Sequence, residues 1–344
     1  MSFLAVFFVA FFISLALTPV ARRLSHRLGT VAEPGGRRRH RGRIAKLGGL
    51  PLMAATLAAL GIARWLLPAS GSDVGLLRGV VLGTLLVGAA AVLDDYWELP
   101  PWVLFLIQLV GVAVAMWHEV FIERFTNPFN GQEQVIQWTW LVFLLTLFWI
   151  MGMINTVNFL DGLDGLAAGV GTIAALVFAW HSYRLGQSSV AAFPLALAGA
   201  LLGFLPANFP PARIFLGSAG AYFLGYQLAT LSIISPAKIA TALLVMAVPI
   251  LDVAWRIVDR LRHGRSPFHG DRGHLHYLLF DMGLPARRIV LGYYAVSLSF
   301  GLVAIFVTQP VIKLGILIGL SAAVLTLLIW LSAASNRPAV GEDS

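Results

Sequence analysis

The sequence contains no cysteine and few charged side chains, and both shortages restrict its possible functions. Without cysteine there is no disulfide, no thiolate nucleophile, no iron–sulfur cluster and no thiolate metal ligand. Charged residues make up 12% of the 344 positions, whereas hydrophobic residues make up 58%. Soluble globular domains have about twice that share of charged residues. The composition therefore excludes an ordinary soluble domain.

Long apolar runs occupy most of the chain, and most have the length of about 17 residues or more that a bilayer-spanning helix needs. They predict an all-α polytopic membrane protein with about eleven transmembrane helices, built as one domain over residues 1–335 with a short polar tail at 336–344. Nucleic acid is not an expected partner, because no soluble domain remains to bind it. The predicted spans are 3–21, 48–66, 76–93, 103–121, 138–154, 166–184, 191–206, 219–234, 237–255, 289–307 and 313–333.

Basic residues predict the orientation of these spans. Nine lysines and arginines lie in 22–46 and seven arginines lie in 256–288. By the positive-inside rule both segments are cytoplasmic, so the N-terminus is outside and the C-terminus is cytoplasmic. The net charge of +8 has two explanations. The basic residues reflect topology and attraction to anionic headgroups of membrane lipids, or they form a basic cytoplasmic entrance for an anionic substrate.

The densest polar run between two apolar spans is 155–165, predicted to be a short loop. It contains two amides, Asn155 and Asn158, and two acids, Asp161 and Asp164. Acids near lipid indicate a functional site, because burying them without a partner is costly. A turn in which Asp161 or Asp164 caps the next helix is the alternative, but a cap accounts for only one acid.

Three further polar motifs each allow a structural and a functional interpretation. The adjacent acids Asp94 and Asp95 end a span, where they either reach water or hold a cation. The glycines and Ser218 in 208–220 form a plain turn, or they offer backbone N–H groups of a helix N-terminus to a phosphate. The 256–288 segment is a solvated loop, a phosphate or nucleotide contact, or a zinc site. Its motif of three histidines, an acid and an arginine consists of His269, Asp271, Arg272, His274 and His276.

All four motifs fall on the side that the basic residues predict to be cytoplasmic. Acids, amides, histidines and arginines on one face are what phosphoryl transfer needs, because acids hold Mg²⁺ and cations neutralise the transferred phosphate.

These residues resemble the polyprenyl-phosphate N-acetylhexosamine-1-phosphate transferases over nearly the whole chain. The run from 155 to 166 matches the family pattern N-x-x-N-x-x-D-G-x-D-G-L. The other matches are Leu93-Asp94-Asp95, Asp271-Arg272-Gly-His274-Leu-His276, Pro249-Ile-Leu-Asp252, and Arg37-Arg38-Arg39-His40 with Gly48-Gly49.

The resemblance implies transfer of a sugar-1-phosphate from a UDP-linked amino sugar to an undecaprenyl-type phosphate, at the cytoplasmic face of a bacterial inner membrane. It implies Mg²⁺, with Mn²⁺ as an alternative, and a homodimer as a possible assembly. Carried over by position, the catalytic acids are Asp94, Asp95, Asp161 and Asp164, of which Asp161 and Asp164 bind the metal. The implied substrate-binding residues are Asn155, Asn158, Arg38, His40, Asp271, Arg272, His274 and His276.

The chain departs from the family pattern at charged positions. The family's principal Mg²⁺ ligand, an aspartate, corresponds to Ser218, a far poorer ligand for a hard cation. The other departures are Tyr277, Ala32, Trp102 and Leu104. Three functions therefore stay open: a divergent transferase, a homologue that binds lipid phosphate or nucleotide sugar without turnover, and a transporter. The acids argue against a transporter, because they lie at span ends and not at the membrane midplane.

Overall fold

The computed structural model describes residues 2–33, 42–66, 71–235, 238–264 and 273–335. Helices dominate these residues, which confirms the predicted all-α class. The helices are α1 Ser2–Leu28, α2 Gly49–Leu66, α3 Gly71–Trp97, α4 Pro101–Trp117, α5 Thr139–Leu160, α6 Leu166–Arg184, α7 Ser188–Asn208, α8 Gly217–Ile234, α9 Lys238–Val245, α10 Ala247–Arg262, α11 Leu275–Asp281, α12 Ala286–Phe306 and α13 Pro310–Ser335.

Strands are few and short in the described residues. Strands β1 (Val31–Ala32) and β2 (Ile44–Ala45) pair in antiparallel fashion, as do β3 (Arg124–Thr126) and β4 (Glu133–Val135). Ala45 also forms a parallel bridge with Ile214, which joins the segment before α2 to the segment before α8.

The helices are those of a multi-pass membrane protein. Eight are long and apolar enough to cross a bilayer, namely α1, α2, α3, α5, α6, α7, α12 and α13. A ninth span results if α9 and α10, which meet at an angle of 83°, count as one. The predicted count of eleven also needs α4, an apolar helix of 17 residues, and α8. The count and the orientation in the membrane stay predictions.

Helix α8 lies at the centre of the bundle. Every residue from 219 to 232 is buried, and α8 packs against α2, α3, α5, α6, α7 and α9. Glycines allow close approach elsewhere in the bundle. A Cβ at Gly199 or Gly203, four residues apart on α7, would lie 2.3 or 2.2 Å from a backbone oxygen of α1. Small residues at this spacing are typical of packed membrane helices.

Two predicted loops are shorter than expected. Asn155 and Asn158 lie in the last turns of α5, not in a loop, because α5 continues to Leu160. The predicted 256–288 loop contains the end of α10 and all of α11. The predicted tail at 336–344 lies outside the described residues.

Candidate active site

Asp95 binds the N-terminus of α8. Its Oδ1 accepts a hydrogen bond from the backbone N–H of Ser218 at 2.8 Å, and its Oδ2 accepts one from Ala219 at 3.0 Å. The first N–H groups of a helix have no partner within it and favour a negative charge. The sequence left two alternatives for these groups, a plain turn or contact with a phosphate. The phosphate alternative is wrong for Ser218 and Ala219, because the buried Asp95 carboxylate occupies their N–H groups.

Gly217 makes this contact possible. Its φ of +75° is in the left-handed region that favours glycine, and a Cβ would lie 2.2 Å from the Lys46 carbonyl and 2.7 Å from Asp95 Oδ2. Gly48 and Gly49 likewise lie against the backbone of 215–220. The backbone at the start of α8 is therefore held between Asp95 and the segment before α2.

The turn 161–165 joins α5 to α6. Gly165 has a φ of +74° and is the N-cap of α6, with no side-chain cap, so the alternative in which Asp161 or Asp164 caps this helix is wrong. Asp164 Oδ2 accepts a hydrogen bond from the Ala212 N–H at 2.8 Å. The buried Asn208 side chain accepts from the Gly165 N–H at 3.1 Å and donates to a carbonyl at 214. The turn is thus fixed to the segment that precedes α8.

Helix α12 contacts both the turn 161–165 and the segment that precedes α8. The Tyr294 hydroxyl donates to the Gly165 carbonyl at 2.5 Å, and Arg287 Nε donates to the Pro210 carbonyl at 2.8 Å. Tyr294 also lies against Gly169, where a Cβ would be 1.9 Å from its ring. The two side chains, two turns apart on α12, therefore position the turn 161–165 and the segment 209–213 relative to each other.

Asp161 is the acid whose charge is least compensated. Burial raises the pKa of its carboxyl well above the usual range, and the negative charges of Asp95 and Asp164 raise it further. No hydrogen bond to the Asp161 carboxylate occurs among the residues that the structure describes. Burial that opposes ionisation without a compensating donor is typical of functional carboxylates. Asp161 therefore lies within electrostatic reach of both Asp95 and Asp164.

A chain of polar groups lies beside the fourth acid, Asp94. The Asn155 amide donates to the buried Gln108 at 2.8 Å. The buried Tyr222 of α8 lies within electrostatic reach of Asp94. Asp94 itself accepts from the N–H of Leu99 through Oδ1 at 2.9 Å. Asn155 also donates to a carbonyl in its own helix, which explains why α5 continues through it.

His274 is oriented by Asp252 of α10. The two side chains are buried, with His274 Nδ1 at 2.9 Å from Asp252 Oδ2, and Asp252 Oδ1 accepts from the Leu275 N–H at 2.9 Å. The His274 ring stacks on Phe159 of α5 at a centroid distance of 5.2 Å. Its Nε2 is buried and has no hydrogen-bond partner in the described part of the chain. A polar atom in this state is available to a ligand.

His276 and Tyr277 contact the turn 161–165. The rings of His274 and His276 are stacked at 5.8 Å, and a Cβ at Gly162 would lie 2.2 Å from His276 Nε2 and 2.7 Å from the Tyr277 hydroxyl. The structure therefore brings together two predicted motifs that are more than 100 residues apart in sequence. Glycine at position 162 leaves the space that this contact requires.

Comparison with known proteins identifies the family. Residues 77–236 match the profile of the family described as Glycosyl transferase family 4. A Bacillus subtilis (strain 168) protein named "Probable undecaprenyl-phosphate N-acetylglucosaminyl 1-phosphate transferase" is 30% identical over 321 residues, covering 90% of this chain and 87% of that protein. The chain belongs to glycosyl transferase family 4. The resemblance to polyprenyl-phosphate hexosamine-1-phosphate transferases, drawn from the motifs, is confirmed.

Two further relatives have names of the same kind. The decaprenyl-phosphate N-acetylglucosaminephosphotransferase of Mycobacterium tuberculosis (strain ATCC 25618 / H37Rv) is 34% identical over 307 residues, covering 80% of this chain and 75% of that protein. The undecaprenyl-phosphate alpha-N-acetylglucosaminyl 1-phosphate transferase of Escherichia coli (strain K12) is 28% identical over 279 residues, covering 78% and 74%.

The residues present fit a magnesium ion that is completed by substrate. The described residues contain no cluster of three or more acids or histidines placed to hold a metal. However, Asp161 lacks a hydrogen-bond donor among the described residues, and Asp164 accepts a hydrogen bond from the Ala212 N–H. Mg²⁺ in phosphoryl-transfer sites is commonly held by one or two carboxylates, substrate phosphates and water. Ser218, in the first turn of α8, adds only a hydroxyl to this set.

Four predicted site residues of this glycosyl transferase family 4 member lie outside the described residues, and five residues near the site were not predicted from the sequence. Arg38, His40, Asp271 and Arg272 lie outside the described residues. The sequence analysis did not assign roles to Gln108, Asn208, Tyr222, Arg287 or Tyr294. Gln108 carried a usable signal, because it is a single polar side chain within an apolar span. The other four are identified only by the three-dimensional contacts they make.

Proposed function

We propose that the protein transfers a sugar-1-phosphate from a UDP-N-acetylhexosamine to an undecaprenyl-type phosphate. An oxygen of the lipid phosphate bonds to the phosphorus that carries the sugar, the bond from that phosphorus to the bridging oxygen breaks, and UMP leaves with the electron pair. The reaction takes place at the cytoplasmic face of a bacterial inner membrane and is the first lipid-linked step of cell-envelope polysaccharide synthesis. The names of the relatives support this assignment.

The observation that carries the proposal is the state of Asp161. A carboxylate that is buried, lacks a described donor and faces two other acids is suited to a cation shared with a diphosphate. Asp161 and Asp164 would hold Mg²⁺, with Mn²⁺ as an alternative, and the ion would neutralise charge on the donor's diphosphate.

The two acids of the Asp94-Asp95 pair take different roles. Asp95 is a positioning residue, because both of its oxygens are used by the N-terminus of α8. Asp94 uses only Oδ1 in the contact with Leu99, so its second oxygen is available to orient or deprotonate the lipid phosphate. Lys46, whose charge acts on Asp95, contributes a cation on this side of the site.

The nucleotide sugar occupies the space between the end of α5 and the start of α11. His274 is the best-supported contact, because Asp252 orients it and its Nε2 has no described partner. Asn158 and His276 bind alongside it, and Asn155 acts through Gln108. By resemblance, Arg38, His40, Asp271 and Arg272 complete the contacts with the donor's phosphates. Several positioned donors and cations are needed, because in-line attack of one phosphate on another brings negative charges together.

The test is UMP release by the detergent-solubilised full chain, supplied with Mg²⁺, polyprenyl phosphate and UDP-N-acetylglucosamine. We expect turnover by the wild type and a loss of at least about a hundredfold in Asp161→Asn, the usual scale for removing a group that stabilises transition-state charge. Glu123→Gln is the matched control, because it removes an exposed acid between α4 and α5, at the other end of the bundle. If none of several UDP-sugars gives UMP, the proposal is refuted.

A second candidate is a homologue that binds lipid phosphate or nucleotide sugar without turnover. Ser218 favours it, because the position lacks the carboxylate of the family pattern. Under this alternative the wild type binds UDP-sugar in a calorimetric titration but releases no UMP, and Ser218→Asp gains turnover. Turnover by the wild type at about 1 per second, within the usual range for enzymes, would exclude it.

A further inference from the structure

A groove lies between α2, α3 and the beginning of α7, away from the acidic site. It has a volume of about 550 Å³ and is lined mainly by apolar side chains, among them Leu60, Leu77, Val81 and Phe193. All three helices are long and apolar enough to span a membrane. The groove is therefore a cleft between membrane-spanning helices, and its lining suits hydrocarbon chains.

Two arginines lie at this groove. Arg64 is in the last turn of α2 and Arg78 is near the start of α3, and both line the groove and are exposed. Neither forms an ion pair or a side-chain hydrogen bond with any residue that the structure describes. Because both cations line the same groove, an anion bound there would be attracted by both of them.

The groove is at the opposite end of the spans from the acidic site. Arg78 precedes Asp95 by seventeen residues in the same helix, which corresponds to about 25 Å along the axis. Similarly, α2 begins at Gly49, which contacts the start of α8, and ends beyond Arg64. This separation is close to the thickness of the bilayer core, about 30 Å. The groove therefore lies at the headgroup level of the other leaflet.

We propose that this groove binds one anionic glycerophospholipid, such as phosphatidylglycerol, with its phosphate between Arg64 and Arg78 and an acyl chain along Leu60, Leu77 and Phe193. The apolar lining and the paired cations match the two parts of such a lipid. The lipid acceptor of the proposed reaction is not the occupant, because its phosphate must reach Asp94 and Asp161 at the other end of the spans.

The experiment is native mass spectrometry of the full chain in mild detergent, titrated with phosphatidylglycerol or with phosphatidylcholine of the same acyl chains. We expect one phosphatidylglycerol to bind at least tenfold more tightly than phosphatidylcholine. Each basic residue near an anionic lipid contributes about 1 kcal/mol, or about fivefold in affinity. Arg64→Gln and Arg78→Gln should each weaken phosphatidylglycerol binding about fivefold. The double variant should bind both lipids equally.

Arg184→Gln is the matched charge control. Arg184 lies at the same end of the bundle, at the end of α6 and outside the groove, where it lies over the Trp180 ring. Its removal should change phosphatidylglycerol affinity less than twofold. All three arginine variants should release UMP at the wild-type rate, which separates this proposal from the proposed function. Equal binding of both lipids by the wild type, or full binding by the double variant, would overturn it.

Filling the groove tests the apolar half of the site. Gly61 lines the groove, and a side chain there would meet no atom within 4 Å. Gly61→Phe should therefore fold, keep both arginines and lose phosphatidylglycerol. Gly319→Phe is the control, because Gly319 is an equally open position on α13. Inorganic phosphate should not compete with phosphatidylglycerol. Competition by phosphate, or unchanged binding in Gly61→Phe, would indicate a free-anion site and refute the lipid assignment.

Discussion

Replacing Asp161 with asparagine should stabilise the metal-free protein at neutral and higher pH. The pKa of Asp161 is raised in the folded protein by burial and by the charges of Asp95 and Asp164. The folded state therefore binds the proton more tightly than the unfolded chain, where an aspartate has a pKa of about 3.9. Between the two pKa values the free energy of unfolding falls as pH rises, and above both the penalty is complete. Asparagine carries no charge and escapes this penalty.

Magnesium should reduce this advantage of the variant. A ligand that binds only the folded state stabilises it by about 1.4 kcal/mol at ten times its Kd. Asp161 is the acid of this cluster with no described donor, whereas Asp164 already accepts from Ala212. Loss of the Asp161 carboxylate should weaken Mg²⁺ binding about tenfold. At the same Mg²⁺ concentration the ion then stabilises the variant by about 0.4 kcal/mol. The variant should thus gain about 1 kcal/mol less from Mg²⁺ than the wild type.

Thermal unfolding of the detergent-solubilised protein, followed by intrinsic tryptophan fluorescence, measures both effects. The wild type, Asp161→Asn and the control Glu123→Gln would be compared at pH 5 and pH 8, with EDTA and with Mg²⁺. The advantage of Asp161→Asn in EDTA should be larger at pH 8 than at pH 5. A variant less stable than the wild type in EDTA at pH 8 would refute the desolvation argument. Equal stabilisation of both proteins by Mg²⁺ would exclude Asp161 as a ligand.

Three other substitutions test the remaining contacts. Ser218→Asp restores the carboxylate of the family pattern and should lower the Mg²⁺ concentration for half-maximal UMP release about tenfold, the effect of one added ligand worth about 1.4 kcal/mol; an unchanged Mg²⁺ dependence would argue against a ligand role for this position. Tyr294→Phe removes the hydrogen bond to Gly165 and should cost about 1 kcal/mol of unfolding free energy and reduce kcat more than KM, as measured by thermal unfolding and initial rates. Gly162→Ala places a Cβ against His276 and should weaken UDP-sugar binding at least about tenfold in a calorimetric titration, because a fixed clash is relieved only by moving a site residue.

The fold class follows from the apolar runs, but the ends of the helices do not. Hydropathy places Asn155 outside the span, whereas in three dimensions its amide is satisfied by Gln108 and by its own helix, so α5 continues. The run 237–255 is apolar throughout, and its sharp bend is not evident from hydropathy. Pro249, in the first turn of α10, is the local signal, because proline lacks the N–H that a continuous helix would need.

The polar residues of the site could be predicted from the sequence, but the contacts between them could not. The acids, the amides and the histidine motif stand out as polar groups in an apolar chain. The contact of Asp95 with Ser218 spans 123 positions and depends on how α3 meets α8, which no local pattern encodes. Tyr293 and Tyr294 are adjacent and identical in type, yet only Tyr294 donates a hydrogen bond to the turn 161–165 among the described residues. The direction in which each points is set by the packing of α12, not by the sequence around it.

The serine at position 218 changes the charge balance of the cluster. Asp95 already neutralises the partial positive charge at the start of α8, so an aspartate at 218 would add a negative charge with little to offset it. Asp161, whose ionisation already opposes two neighbouring charges, would then oppose a third. A chain with an aspartate at 218 depends on a bound cation for stability, whereas a chain with serine depends on it less. On the proposed function, serine at 218 lowers metal affinity and raises the stability of the metal-free state, so Mg²⁺ binding would rely on phosphates that the substrates bring.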